Sequence, residues 1–189
     1  MILPIYAYGH PVLKKIATPI EPDYPQLAEL LANMWETMYH ADGVGLAAPQ
    51  IGLPIRLFVI DTTHLNQEDS APGAEKGFKK VFINAQIVEN SATLNTMEEG
   101  CLSIPRIRGD VERPAGIRLI YQDEHFQQFE ESFSGFNARV IQHEYDHIQG
   151  KLFVEKLKPL KKRLIQRKLE DIRQGKISVE YRMRFWGKQ

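Results

Sequence analysis

A chain of 189 residues, 43% hydrophobic and 25% charged, fits one ordinary globular domain with a core large enough to fold without disulfides or other staples. Its 24 basic and 24 acidic residues cancel, which argues against coating DNA or an anionic membrane and leaves room for a local basic patch only. Apolar runs such as Leu57–Ile60 fall far short of the roughly 20 residues a bilayer needs, and Met1–Tyr6 lacks the start of a signal or transit peptide, so a cytoplasmic protein is expected.

In chain order, Pro22–Ala41 carries Leu27, Leu30, Leu31, Met34 and Met38 at helical spacing, which predicts an amphipathic helix. Pro25 suits its first turn and Asp42-Gly43 its end. Arg56–Asp61 reads as a buried strand, and His64–Lys80, rich in turn formers, as a mobile surface loop. Val81–Val88, Ala92–Glu98, Asp110–Arg113, Gly116–Asp123 and Phe126–Phe133 are β-type segments, with a hairpin turn at Asp123–His125. Asn137–Gln149 is predicted helical and closed by Gly150. Leu160–Gln174 is the last helix, with Leu160, Leu164, Leu169 and Ile172 as its apolar side and Gly175 as its stop. The alternating tail Lys176–Trp186 suits an edge strand. The pattern is α+β, with antiparallel sheets rather than βαβ units.

Three clusters carry chemistry. In Gln142-His143-Glu144-Tyr145-Asp146-His147, the two histidines lie one turn apart on one helix face, and both imidazoles can reach one metal. Glu144 sits beside them, where a carboxylate can handle the protons of a metal-bound water. In Glu99-Gly100-Cys101-Leu102-Ser103, Cys101 is the only cysteine, so it forms no intramolecular disulfide. It is a small buried hydrophobe, a nucleophile or a third metal ligand. A thiolate with two imidazoles leaves one coordination position open and suits Fe(II), Zn, Ni or Co rather than Mg or Ca. Gly43-Val44-Gly45-Leu46-Ala47-Ala48-Pro49-Gln50 permits close backbone approach and supplies an amide donor. It lacks the spacing of a dinucleotide or phosphate loop, and by itself reads as a tight packed loop.

Together and in this order, the three clusters resemble those of the peptide deformylase family: G-x-G-x-A-A-x-Q, then E-G-C-x-S, then Q-H-E-x-D-H. No motif position departs from that pattern. The resemblance runs from near the N-terminus to about Lys168. It implies a single catalytic domain over 1–189, with short antiparallel sheets packed around a central metal-binding H-E-x-x-H helix and with an N-terminal and a C-terminal helix. It implies that Cys101, His143 and His147 hold one divalent metal, Fe(II) natively, with Zn, Ni or Co as substitutes. It implies removal of the formyl group from the formyl-methionine of nascent polypeptides. A metal-bound hydroxide would attack the formyl carbon, Glu144 would act as general acid and base, and Gln50 and the Leu102 backbone N–H would hold the oxyanion.

By the same resemblance Gly45 leaves room for the substrate backbone, and Val44, Phe136, Arg139 and Val140 contribute to the methionine pocket. The Arg139 stem would serve as wall while its head stays wet. Arg108 falls near the expected peptide. Asp146 reads either as a support for the helix or a ligand, or as a structural salt bridge. The acid-free run Lys156–Lys168 reads either as a solvated helix face or as a surface docking on ribosomal RNA. A zinc endopeptidase shares H-E-x-x-H, but its third ligand would usually be a downstream His or Glu, and Cys101 with Gln50 weighs against it. A non-catalytic peptide- or metal-binding protein would not need the carboxylate and the amide donor as well.

Overall fold

A computed structural model describes residues 1–66 and 75–187. The chain runs β1 (Ile5–Tyr6), α1 (Leu27–His40), β2 (Gly45–Ala47), β3 (Leu57–Asp61), β4 (Lys79–Asn90), β5 (Leu94–Cys101) and β6 (Ile104–Pro114). It continues with β7 (Gly116–Gln122), β8 (Gln128–Ser134), α2 (Gly135–Ile148), α3 (Pro159–Arg173) and β9 (Met183–Arg184). This is the expected mixture of helices and antiparallel sheets.

The largest sheet has the order β2-β3-β4-β7-β8 and is antiparallel throughout. β3 explains how it is held. Successive side chains of a strand point to opposite faces, and here Phe58 and Ile60 pack with Phe82, Leu119, Ala138 and Ile141, whereas Leu57 and Val59 pack with Leu31, Met34 and Met38. The sheet therefore lies between α2 on one face and α1 on the other, which is why Leu57–Ile60 is apolar without alternation. Each such side chain, fully buried, stabilises the fold by about 1.5–3 kcal/mol. A third apolar cluster joins the β5–β6 hairpin to α3 through Ile104, Ile107, Val111, Leu157, Ile165 and Ile172.

Several elements differ from the sequence expectation for local reasons. α1 begins at Leu27 rather than Pro22, because Gln26 adopts a left-handed backbone (φ 55°) that no helical turn can include, and Pro25 lies outside it. Its end is as expected: Asp42 is left-handed (φ 53°), and the Gly43 N–H returns to the Met38 carbonyl. β6 is much longer than Asp110–Arg113, because pairing with β5 continues through Gly109 and Arg108 and resumes at Ile104, with Pro105–Ile107 taken up in a bulge where Arg106 has φ 62°. Of the expected loop from His64 to Lys80, Thr63–Asn66 form a 3-10 turn and Lys79 and Lys80 open β4; residues 67–74 lie outside the described residues.

α3 ends at Gly175 (φ 62°), as predicted, but its inward face is different. Leu160 and Leu164 are 70% and 68% exposed, and the core is met by Ile165, Ile172 and partly by Leu169. Among the described tail residues only Met183 and Arg184 form a strand pairing, with Ile5 and Tyr6, and in parallel.

Candidate active site

α2 is buried along nearly its whole length, so its polar side chains have to find partners inside the protein. Its N-terminus is capped from outside: the Glu75 carboxylate accepts the N–H groups of Phe136 (2.8 Å) and Asn137 (2.7 Å). Gly150 closes the helix with φ 67°. Between these ends, His143 and His147 lie with ring centroids 5.2 Å apart.

Cys101 approaches them from the last position of β5, where the chain turns through Leu102 and Ser103 into β6. One ligand atom each of Cys101, His143 and His147 lies within 4.8 Å of the other two, and the Cys101 Sγ is 3.2 Å from the His147 Nε2. Donors about 2.0–2.3 Å from a tetrahedral ion sit roughly 3.3–3.8 Å apart, so the three atoms are close enough to share one metal after at most small side-chain adjustments. A thiolate and two imidazoles favour a borderline or soft divalent ion. The other two features of such a centre are also present: His143 donates its far nitrogen to a carboxylate, and the Glu144 Oε2 is buried without a hydrogen-bond partner.

The carboxylate behind His143 is Glu99. Its Oε2 lies 2.9 Å from the His143 Nδ1, while Arg113 binds it through two nitrogens (2.6 and 2.9 Å) and Arg139 through one (2.8 Å). Arg113 also reaches the Asp146 Oδ2 at 2.7 Å, and Lys156 lies 3.6 Å from the same oxygen. Asp146 therefore acts by pairing Arg113 rather than by facing the three donors. Burial works against the charge on Glu99, but hydrogen bonds from Arg113 and His143 outweigh it and hold the carboxyl well below its ordinary range.

The titrations of His143, His147 and Glu144 diverge. Burial alone would lower the His143 pKa, yet hydrogen bonds to Cys101 and Glu99 raise it well above the ordinary value, so the site favours positive charge at that ring. Burial, then the charges of His143 and Arg113, push His147 well below its ordinary value and keep it neutral. Glu144 is pushed up to about 7, by burial first.

Above this centre opens a cleft of about 800 Å³, whose lining includes Val44, Gly45, Gln50, Cys101, Leu102, Arg108, Phe136, Arg139, Val140, His143 and Glu144. All the sequence-selected site residues except His147 thus border one cleft, and His147 lies immediately behind Cys101. Gln50 is 1% exposed; its Oε1 accepts the Ala47 N–H, and its Nε2 is shared between the Cys101 Sγ (3.5 Å) and the Ser103 Oγ (3.3 Å).

Two details depart from expectation. The Arg139 head is not wet: it is bound by Glu99, Asn95 and the Val111 carbonyl, and the residue is 3% exposed. Gly45 leaves no spare room toward α2, because a Cβ there would meet the Glu144 carboxylate. Three further contributors had no role assigned from sequence: Glu99, Arg113, and the tail residues Val179–Tyr181, which wall one side of the cleft.

Three ligand atoms converging beside a buried carboxylate, on an α+β scaffold, define a metallohydrolase. The family described as Polypeptide deformylase matches residues 2–163, and the chain belongs to that family. Relatives named peptide deformylase include one from Flavobacterium johnsoniae, 57% identical over 98% of this chain and 96% of its own length. Another, from Christiangramia forsetii, is 56% identical over the same shares. Among solved structures, a peptide deformylase from Legionella pneumophila superimposes with a TM-score of 0.79 at 37% identity, covering 93% of this chain and 98% of that one. An inhibitor complex of peptide deformylase 1B from Arabidopsis thaliana gives 0.81 at 33% identity, covering 92% of each chain. No helix among the described residues is long and apolar enough to cross a membrane.

Proposed function

We propose that this enzyme removes the formyl group from the N-terminal formyl-methionine of newly synthesised polypeptides, releasing formate. The observation that carries the reading is the placing of the unpartnered Glu144 Oε2 beside the mutually close Cys101, His143 and His147 ligand atoms, at the floor of an open cleft. Cys101, His143 and His147 would hold one divalent metal, Fe(II) natively by family resemblance, with Zn, Ni or Co able to replace it. When bound, the ion supplies Lewis acidity, lowering the pKa of a water towards about 7 and drawing charge from the formyl oxygen.

The protein's own groups do the rest. Glu144, buried and poised near neutrality, takes a proton from the attacking water at Oε2. As the carbon–nitrogen bond breaks, the same atom returns that proton to the departing amine. Gln50 Nε2 and the Leu102 N–H would stabilise the oxyanion. His143 is kept in orientation by Glu99, which Arg113 and Arg139 hold in turn. Val44, Phe136 and Val140 supply apolar wall for methionine, with the Arg139 stem beside them and its head reserved for Glu99. Gly45 and Arg108 would flank the peptide backbone.

The whole chain would work as one catalytic domain in the cytoplasm. The exposed basic face of α3, with Lys161, Lys162 and Arg163, would favour transient docking on ribosomal RNA. Comparing hydrolysis of formyl-Met, acetyl-Met and internal peptide bonds tests the reading. Formate release from the first alone supports it, and casein cleavage would favour an endopeptidase.

A further inference from the structure

The turn that carries Cys101 and the Leu102 N–H is only two residues long, and it is tied from three sides. Gln50 donates to the Ser103 hydroxyl at 3.3 Å, and the Tyr8 N–H donates to the Ser103 carbonyl at 2.8 Å. The third tie comes from the tail: the Tyr181 hydroxyl donates to the Leu102 carbonyl at 2.7 Å. Tyr181 lies well past residue 163, where the family match ends.

The tail is anchored firmly enough to act as a support. Just after Tyr181, the Ile5 and Ala7 N–H groups bind the carbonyls of Arg182 and Arg184 at 2.8 and 2.9 Å. Arg184 stacks over the Tyr6 ring (5.7 Å), and Trp186 meets His10 edge-on (5.0 Å). Tyr8, just after β1, and Tyr181, just before β9, thus approach the turn from the ends of one small parallel ribbon. Sequence alternation alone would assign the tail to filling a sheet edge. Instead Val179–Tyr181, ahead of the ribbon, wall the cleft.

We propose that Tyr181 is a positioning residue for the deformylation reaction: by holding the Leu102 carbonyl it fixes the backbone of the turn and so the direction of the Leu102 N–H toward the reacting carbonyl. The inference rests on the deformylase reading, and it adds a residue outside the three sequence clusters. The phenol touches neither substrate carbonyl nor donor atoms in this role; it acts through Leu102. Small displacements at such a point are costly because reacting groups have to be held to within a fraction of an ångström.

The test is Tyr181→Phe in the full-length, metal-loaded enzyme, which removes one hydroxyl and keeps the ring. The expected result is a fall in kcat of roughly ten- to a hundredfold with KM little changed. Bound metal and thermal midpoint should match the parent, while the Leu102 and Ser103 amides exchange hydrogen faster. An unchanged kcat overturns the proposal. So does a loss of kcat that merely follows lost metal or a lowered thermal midpoint, since the hydroxyl would then be structural. If the parent releases no formate, it is the deformylase reading that fails, and unaltered amide exchange in the variant would still overturn the tether.

Discussion

Gly45 lies so close to Glu144 that a Cβ on Gly45 would fall 2.6 Å from the Glu144 Oε1 and 2.9 Å from its Cδ. The glycine is thus required by the position of the carboxylate and not by a special backbone angle. Gly45→Ala should displace the Glu144 side chain, the only flexible party, and lower kcat by roughly a hundredfold. Metal content and thermal stability should change little. Steady-state kinetics beside metal analysis checks this, and near-parent turnover would show that the carboxylate tolerates displacement.

Glu99 gathers two arginines and a histidine in a nearly buried space at the edge of the cleft, with a side-chain exposure of 3%. Glu99→Gln would leave Arg113 and Arg139 without their shared anion, a change that typically costs about 3–5 kcal/mol. Metal affinity should fall roughly ten- to a hundredfold, as it does when a histidine ligand loses its supporting carboxylate. Because the folded-state pKa of Glu99 is depressed, its contribution is present above the ordinary carboxylate range and is lost only as pH falls through the lower folded value. The deficit measured by urea unfolding should therefore persist through neutral and mildly acidic pH. A deficit seen only in acid would contradict the assignment.

Glu144 has the opposite sign. Its folded pKa rises from 4.5 to about 7, so the stability linked to its neutral form is complete below 4.5 and is lost as pH rises through 7. With each pKa unit worth about 1.4 kcal/mol, the charged form costs roughly 3 kcal/mol in the metal-free protein. Glu144→Gln should come close to the parent in metal-free unfolding near pH 4, below the unfolded value of 4.5, and exceed it near pH 8. Equal stability at both would remove the argument that burial poises this carboxyl.

The basic face of α3 offers a prediction about location. Lys161, Lys162 and Arg163 are all exposed, whereas Lys156 is drawn toward Asp146. Replacing the three exposed residues by glutamate should weaken co-sedimentation with ribosomes, most strongly at low salt, and leave peptide turnover unchanged. Unaltered sedimentation across a salt series would reduce the face to a solvated surface.

Much of this site could be read from sequence because its chemistry lies in short local motifs. His143, Glu144 and His147 share one helical turn, and helix periodicity alone puts both rings on one face. Strand identity was equally legible for β3, β7 and β8, where apolar or alternating runs are uninterrupted. β6 was cut short because Pro105, Arg106 and Gly109 weaken strand propensity; pairing with β5 overrides this at Gly109, and a bulge takes up Pro105 and Arg106. α3 was misread on its inward face because Leu160 and Leu164 form as good an i, i+4 pair as the buried positions. The choice between faces depends on the hairpin it packs against.

The Glu99 network had one usable signal. In β6, Ile107, Gly109, Val111 and Arg113 alternate inward, so an arginine at a core position called for a buried acid. Nothing comparable marks Tyr181, since its partner is a backbone carbonyl 79 positions away.

The most direct test of the account is formate release from a formyl-Met peptide by protein prepared without oxygen, measured with bound metal for the parent, Glu144→Ala and Cys101→Ser. Turnover by the parent is predicted, with activity lost in both variants but metal retained by Glu144→Ala and lost or weakened in Cys101→Ser. A parent that binds one metal and releases no formate, or a Cys101→Ser variant with full metal and full activity, would contradict it.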